Sequence, residues 1–311
     1  MELSYYSHNY LYPKMIMGCD TFLRRPFSSN YSGREIQIIQ EYMKCAYEHG
    51  ILGIDVNIAS EHVYNAFVSF KEQNPMVIGI GDPNMGAGFF LKDKPLKVYT
   101  KEISKTIYEY CLNNTEKSII MQRPLSYRQY FFPHESSSRV LLNEEIDQIW
   151  LDVHAWEDRL SKLSKVCKFC LFGADYADWL LALERTDIIK FQYESILKYE
   201  MIPISVFHWT SKSLPKIWEV CDVDMHWIFS NKDFLSIVPD ESLSILKCAN
   251  NITGFRLFRN SDGFNDVSDA LHWATDDIGA NSIVIGAPNT LQEAQSFFKS
   301  VSDEYKKTCE R

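Results

Sequence analysis

The sequence predicts a single closed (β/α)8 barrel, and three observations predict it. Short apolar runs alternate with stretches of helical periodicity from one end of the chain to the other. No Pro/Ser/Gly-rich linker, composition shift or internal repeat divides residues 1–311 into two domains. The 311 residues are 46% hydrophobic and 14% aromatic, enough for one large core, which excludes a disordered or low-complexity chain. The expected architecture is therefore one TIM-barrel domain, with a doubly wound sheet as the alternative topology.

The first strand lies within Lys14–Phe22, and Arg34–His49 follows as an amphipathic helix that Gly50 ends. Ile51–Ile58 is the second strand; His62–Glu72 carries Val63, Ala66, Phe67 and Phe70 on one helical face and stops at Asn74–Pro75. Met76–Gly81 is the third strand, followed by a loop over Asp82–Gly88 and a helix over Glu102–Leu112. Ser118–Met121 reads as the fourth strand, Asn143–Val166 as a helix and Cys167–Phe172 as the fifth strand. A short helix at Asp178–Glu184 leads to a sixth strand at Asp187–Tyr193. Ile202–His208 and Met225–Phe229 both look like strands around a helix at Pro215–Val220, and one of them is expected to be an insertion. Val267–Ile278 is a helix, Ser282–Ile285 the last strand and Leu291–Val301 the closing helix.

Charge argues about partners. With 32 basic and 41 acidic residues, the net charge of −9 and the absence of a Lys/Arg run disfavour nucleic acid or an anionic membrane. No apolar run reaches a bilayer span, and the first residues lack a signal-peptide pattern, so a cytoplasmic protein acting on a small molecule is expected. Oligomeric state is not legible. The eight cysteines are scattered, several inside apolar runs, as reduced core thiols would be.

A barrel places its ligand at the C-terminal ends of its strands. Those positions hold Cys19 and Asp20, then Asp55 and Asn57, then Asp82 and Asn84. Gln122 and Arg123 follow the fourth predicted strand, Asp175 and Tyr176 the fifth, Gln192 and Glu194 the sixth. His208 or Ser230 stands near the seventh, and Asn289 follows the eighth. Converging carboxylates suit proton transfer, because burial and mutual repulsion raise one pKa. Each could instead cap the helix after its strand.

Other motifs carry less. Cys167-Lys-Phe-Cys170 has redox or zinc spacing but lies in an apolar strand without a second pair. Gly79–Gly88 resembles a dinucleotide loop, but Asn84 stands at the third-glycine position and no helix opens after it. The eight histidines show no H-x-x-x-H pair, so no metal site is expected, and His208 and His226 are read as wall residues. The aromatics Tyr127, Tyr130, Phe131 and Phe132, near Ser137–Arg139, mark a long βα loop of the kind that sets substrate specificity, or a packing lid.

Several segments resemble the aldo-keto reductase superfamily, in family order. They are Lys14–Phe22, AYEHGILGID at Ala46–Asp55, LFGADYADWLLALERTDIIKFQYESIL at Leu171–Leu197, and DALHWATDDIGANSIVIGAPNTLQEAQSFF at Asp269–Phe298. The resemblance implies a nicotinamide-dependent oxidoreductase, with Asp55 as the catalytic aspartate, Gln192 on the nicotinamide amide and Gly286 in the last strand's turn. It assigns Asp175, Tyr176, Ser230 and Asn289 to the cofactor as well. The family's tyrosine, lysine and histidine have no counterparts: Ser60 stands in the tyrosine's place, and the third and fourth predicted strands end in Asp82 and Gln122–Arg123. No Lys or Arg within Gly286–Phe298 meets a 2′-phosphate, so NADP is not favoured over NAD.

Three readings follow. One is a reductase-like enzyme for a small carbonyl or sugar-like substrate, with Asp55 kept and Arg123 or His62 supplying the electrophilic or proton-donating group. Another is a nicotinamide-independent lyase, isomerase or hydrolase using Asp55 and Asp82 as acid and base around Arg123. A non-catalytic relative that binds a ligand or partner is the third.

Overall fold

Strands buried on both faces read as short, nearly continuous apolar runs, and eight such segments close on each other. The computed structural model describes residues 4–7, 10–83, 88–123, 125–173, 176–231, 239–258 and 266–309. The strands are β1 (Met15–Gly18), β2 (Gly53–Asn57), β3 (Ile78–Asp82), β4 (Phe169–Gly173), β5 (Ile202–Phe207), β6 (His226–Phe229), β7 (Ile252–Phe255) and β8 (Ser282–Gly286). They pair in parallel in chain order, and β8 closes onto β1. Helices α1 (Glu35–Glu48), α2 (Glu61–Gln73), α3 (Val153–Leu163), α4 (Thr186–Lys198), α5 (Thr210–Val220), α6 (Pro239–Leu246), α7 (Val267–His272) and α8 (Leu291–Cys309) alternate with them. The expected (β/α)8 barrel is the observed one.

The period of two along each strand divides the core. Inward residues Ile16, Ile80, Phe169, Leu171, Ile204, Val206, Met225, Trp227 and Val284 fill the barrel as one cluster. The N-terminal hairpin, Ser4–Ser7 with Tyr10–Pro13, adds Tyr12 to it. Tyr12 plugs the end where the strands begin: its hydroxyl accepts from Trp227 Nε1 at 2.8 Å and lies 3.2 Å from Thr253 Oγ1. Outward residues pack against the helices. Gly79 faces α2 so closely that a Cβ there would lie 2.6 Å from Phe67 Cζ and 2.8 Å from Cys167 Sγ. The glycines of β3 therefore serve helix packing. Cys167 and Cys170 are both buried and free. Residues 84–87 of the glycine-rich loop, Asn84 among them, lie outside the described residues.

The strand set differs from the predicted one. Ser118–Met121 is helical, within Asn114–Gln122, because Asn113 and Glu116 form a reciprocal capping box at 2.9 and 2.8 Å. Asp187–Tyr193 belongs to α4, whose buried Ile188, Ile189, Gln192, Ser195 and Ile196 follow helical spacing. Ile202–His208 and Met225–Phe229 instead supply β5 and β6, so neither is an insertion. The barrel's seventh strand, Ile252–Phe255, was not expected. The predicted helix Asn143–Val166 is two helices, Asn143–Ile146 and α3, separated by the strand Ile149–Leu151.

The chain between β3 and α3 forms a lobe on the barrel. A three-stranded antiparallel sheet joins Phe89–Leu91 to Lys94–Pro95 and Ile149–Leu151, and helices Thr100–Thr106, Asn114–Gln122 and Leu125–Phe131 follow its first hairpin. Phe132 stacks on Trp209 at 5.1 Å, and Phe131 meets His208 edge-on at 5.4 Å, tying the lobe to the end of β5. Among the described residues no helix is long and apolar enough to cross a membrane.

Two predictions follow from the packing. Gly79→Ala must push Phe67 or Cys167 aside, and urea unfolding should show a loss of about 1–3 kcal/mol. His226 is fully buried, with Nδ1 2.7 Å from Ser205 Oγ and Nε2 accepting from Trp218 Nε1 at 3.3 Å. Burial lowers its pKa from 6.5 to about 4, against a smaller opposing pull from Asp224. The unfolded chain thus takes up this proton first, and stability should fall as pH drops from about 6.5 to about 4, by up to ~3 kcal/mol. Thermal unfolding across that window should be less pH-dependent in His226→Asn than in the wild type.

Candidate functional site

At the C-terminal ends of the strands the inward positions turn polar around a cavity of about 390 Å3. Its floor is apolar: Leu171, Val206, Trp227 and Val284. Its walls carry Asp55 and Asp82 from β2 and β3, His208 after β5 and Arg256 after β7. Gly18 and Gly286, paired across β1 and β8, form the remaining side. A Cβ on Gly286 would meet nothing within 4 Å, so this side is a notch lined by backbone.

The two carboxylates occupy different surroundings. Asp82 pairs with Asn57 across the strands and accepts from its Nδ2 at 2.8 Å, while Asn57 Oδ1 accepts from the Ala59 amide at 3.0 Å. Asp55 sits two residues back along β2, so roughly 6.6 Å deeper. It is buried, and its Oδ1 has no hydrogen-bond partner among the described residues. Burial above all, then the charges of Asp82 and Asp20, push its pKa well above the usual carboxylate range, against a hydrogen bond from the Cys19 backbone. Asp55 is thus the carboxyl most readily kept protonated.

His208 is positioned by Asp178, at the start of the short helix Ala177–Ala182. The buried Asp178 carboxylate accepts from the His208 amide at 2.8 Å, the Trp209 amide at 2.9 Å and Ser213 Oγ at 2.5 Å. The His208 ring places Nδ1 3.1 Å from Asp178 Oδ2. With Nδ1 so engaged, Nε2 is the nitrogen left for proton exchange in the cavity. Phe131, Phe229 and Phe255 hold the ring edge-on or tilted at 5.3–5.6 Å.

Of the residues singled out in the sequence, Asp20, Asp55, Asp82, His208 and Gly286 meet in this cavity. Arg123 does not: it caps the helix Asn114–Gln122 in the lobe, its guanidinium 5.9 Å over the Tyr127 ring. His62 is exposed in the first turn of α2. Gln192 is fully buried on α4, away from the cavity lining, and both its amide atoms lack partners among the described residues. Tyr176 precedes the Ala177–Ala182 helix and lies 4.8 Å from the Phe89 ring. Ser230 is buried behind β6, donating to the Ile228 carbonyl at 3.1 Å and accepting from Trp273 Nε1 at 2.9 Å through its own carbonyl. Asn289 is exposed beyond β8, and Asp175 lies outside the described residues. Gln192, which the resemblance sets against the nicotinamide amide, is thus buried on α4 and not in the cavity lining. Sequence reasoning missed Asp178 and Arg256; the His208 signal was present, as a polar residue ending an apolar run.

Asp55 carries a stability cost with a definite sign. A raised folded-state pKa makes stability greatest below about 3.8 and reduces it as pH rises through the folded value. Asp55→Asn keeps the shape without an ionisable group, so its melting temperature should exceed the wild type's at pH 7. At pH 4 the difference should vanish.

No protein-family model matches the chain, and no curated protein matches it. Solved structures match over nearly its whole length. A structure described as native KDPGal is 8% identical with a TM-score of 0.46, covering 96% of this chain and 95% of its own. A thiamine phosphate pyrophosphorylase from Pyrococcus furiosus is 7% identical with a TM-score of 0.44, covering 94% and 95%. A D-psicose 3-epimerase, in the presence of D-fructose, is 9% identical with a TM-score of 0.44, covering 95% and 96%.

Proposed function

We propose that the chain is a nicotinamide-independent acid/base enzyme, an isomerase or lyase acting on a small hydroxy-carbonyl or sugar-like compound. The observation that carries this reading is the pair of unlike carboxyl groups on adjacent strands. Asp55 is buried with one oxygen free of partners among the described residues, and Asp82 accepts from Asn57 at the cavity wall. Asp82, as carboxylate, takes the proton from the carbon beside the carbonyl. Asp55, protonated, gives its proton to the carbonyl oxygen, and an enediol results. Asp55 then takes back the proton of the neighbouring hydroxyl while Asp82 returns its own to the adjacent carbon. His208, oriented by Asp178, can exchange a proton from the β5 side.

A reductase reading is supported by Asp55 and Gly286 alone among its assigned residues. Titration with NADH and NADPH separates the two: a saturable thermal shift would favour the reductase.

The test is solvent exchange. In D2O, with small aldoses, ketoses and oxo acids followed by proton NMR, the wild type should wash deuterium into the carbon next to the carbonyl of at least one. Asp82→Asn should slow this at least 100-fold, and His208→Asn should slow it less. No exchange with any compound, or equal exchange by Asp82→Asn, would refute the scheme.

A further inference from the structure

Proton transfer between Asp55, Asp82 and His208 leaves Arg256 without a task. It directly follows β7 with φ +56°, a left-handed conformation that a bulky side chain rarely adopts and that marks positions held by their surroundings. Its guanidinium carbon lies 5.7 Å from the centre of the Tyr130 ring, which the lobe extends over the barrel mouth. Among the described residues it forms an ion pair with Asp20, whose Oδ2 lies 3.8 Å from Nη2, beyond hydrogen-bond reach. Among the described residues the guanidinium donates no hydrogen bond, and its side chain is 34% exposed at the cavity wall. A planar fork of donors, backed by an aromatic ring and opposed only by the loose ion pair with Asp20, is organised for a planar or tetrahedral oxyanion.

Its place in the ring strengthens the argument. β7 lies four strands from β3 and three from β2, so Arg256 faces the carboxyl groups across the mouth. An anion bound there would sit directly across the ring from Asp82 and three strands from Asp55, leaving the apolar floor between them for the rest of the molecule. Arg24 lines the same cavity and adds a second cation.

We propose that the substrate carries an oxyanion, a carboxylate or a phosphate, that Arg256 grips while its far end lies between Asp55 and Asp82. This rests on the reading of the cavity as the substrate site and narrows the substrate to small anionic hydroxy or oxo compounds. The test reads binding without turnover, so its failure is distinct from failure of the exchange test. Thermal shift and calorimetric titration would use glycolate, inorganic phosphate, uncharged glycerol, and sodium chloride at matched ionic strength. Glycolate or phosphate should stabilise the wild type and chloride should not; whichever acts identifies the group. Arg256→Gln should weaken that binding at least tenfold, and Arg256→Lys, which keeps the charge but loses the fork, should weaken it less. Circular dichroism of both variants establishes that they fold. Stabilisation by neither anion, an equal effect of chloride, or unchanged binding by folded Arg256→Gln would overturn the proposal.

Discussion

Closing eight strands into a ring fixes which side chains can face inward, and a period of two leaves each strand only two or three such positions. In this chain the lower positions are spent on bulk. Ile80, Leu171, Ile204, Val206, Trp227 and Val284 fill the barrel, with Tyr12 closing its base. Two residues further along, the same faces present Asp82 after Ile80, His208 after Val206 and Gly286 after Val284. Site and core are consecutive layers of one packing pattern. The rigidity of the filled layers is what lets the last layer hold charged groups at fixed positions.

Around that last layer the chemistry is sorted by direction. The carboxyl groups stand on β2 and β3, the imidazole after β5, the guanidinium after β7, and the backbone notch lies at β8 and β1. Asp82, His208 and Arg256 each meet a group on the neighbouring strand or outside the barrel proper. Asn57 holds Asp82, Asp178 holds His208, and Tyr130 faces Arg256. The lobe between β3 and α3 touches both His208 and Arg256, so it shapes the half of the cavity opposite the carboxyl groups.

The fold was legible because alternation of apolar strands and amphipathic helices survives local errors. Ser118–Met121 and Asp187–Tyr193 look like strands because short apolar runs do not reveal their period; the Asn113–Glu116 cap and the i, i+4 burial of Ile188 and Gln192 decide otherwise. Ile252–Phe255 was hidden because its four residues include Thr253 and Gly254, small enough to pack beside Tyr12 and Ser230 but weakly apolar. Asp55 and Asp82 were legible because both stand in true strands, Asp82 as the last residue of its own. Arg123 and Gln192 were misplaced because they were counted from false ones. Arg256 could not be seen until β7 was known, and Asp178 acts through contacts 30 or more residues away, which no local pattern records.

The Gly18–Gly286 pair has a consequence for ligand design. Two glycines in register leave backbone at this part of the cavity wall, and among the described residues a Cβ on Gly286 would touch nothing within 4 Å. A molecule seated on the apolar floor can be lengthened in that direction without displacing Asp55, His208 or Arg256. Substituents or reporter groups attached along this axis would explore affinity and selectivity while the reacting end keeps its seat.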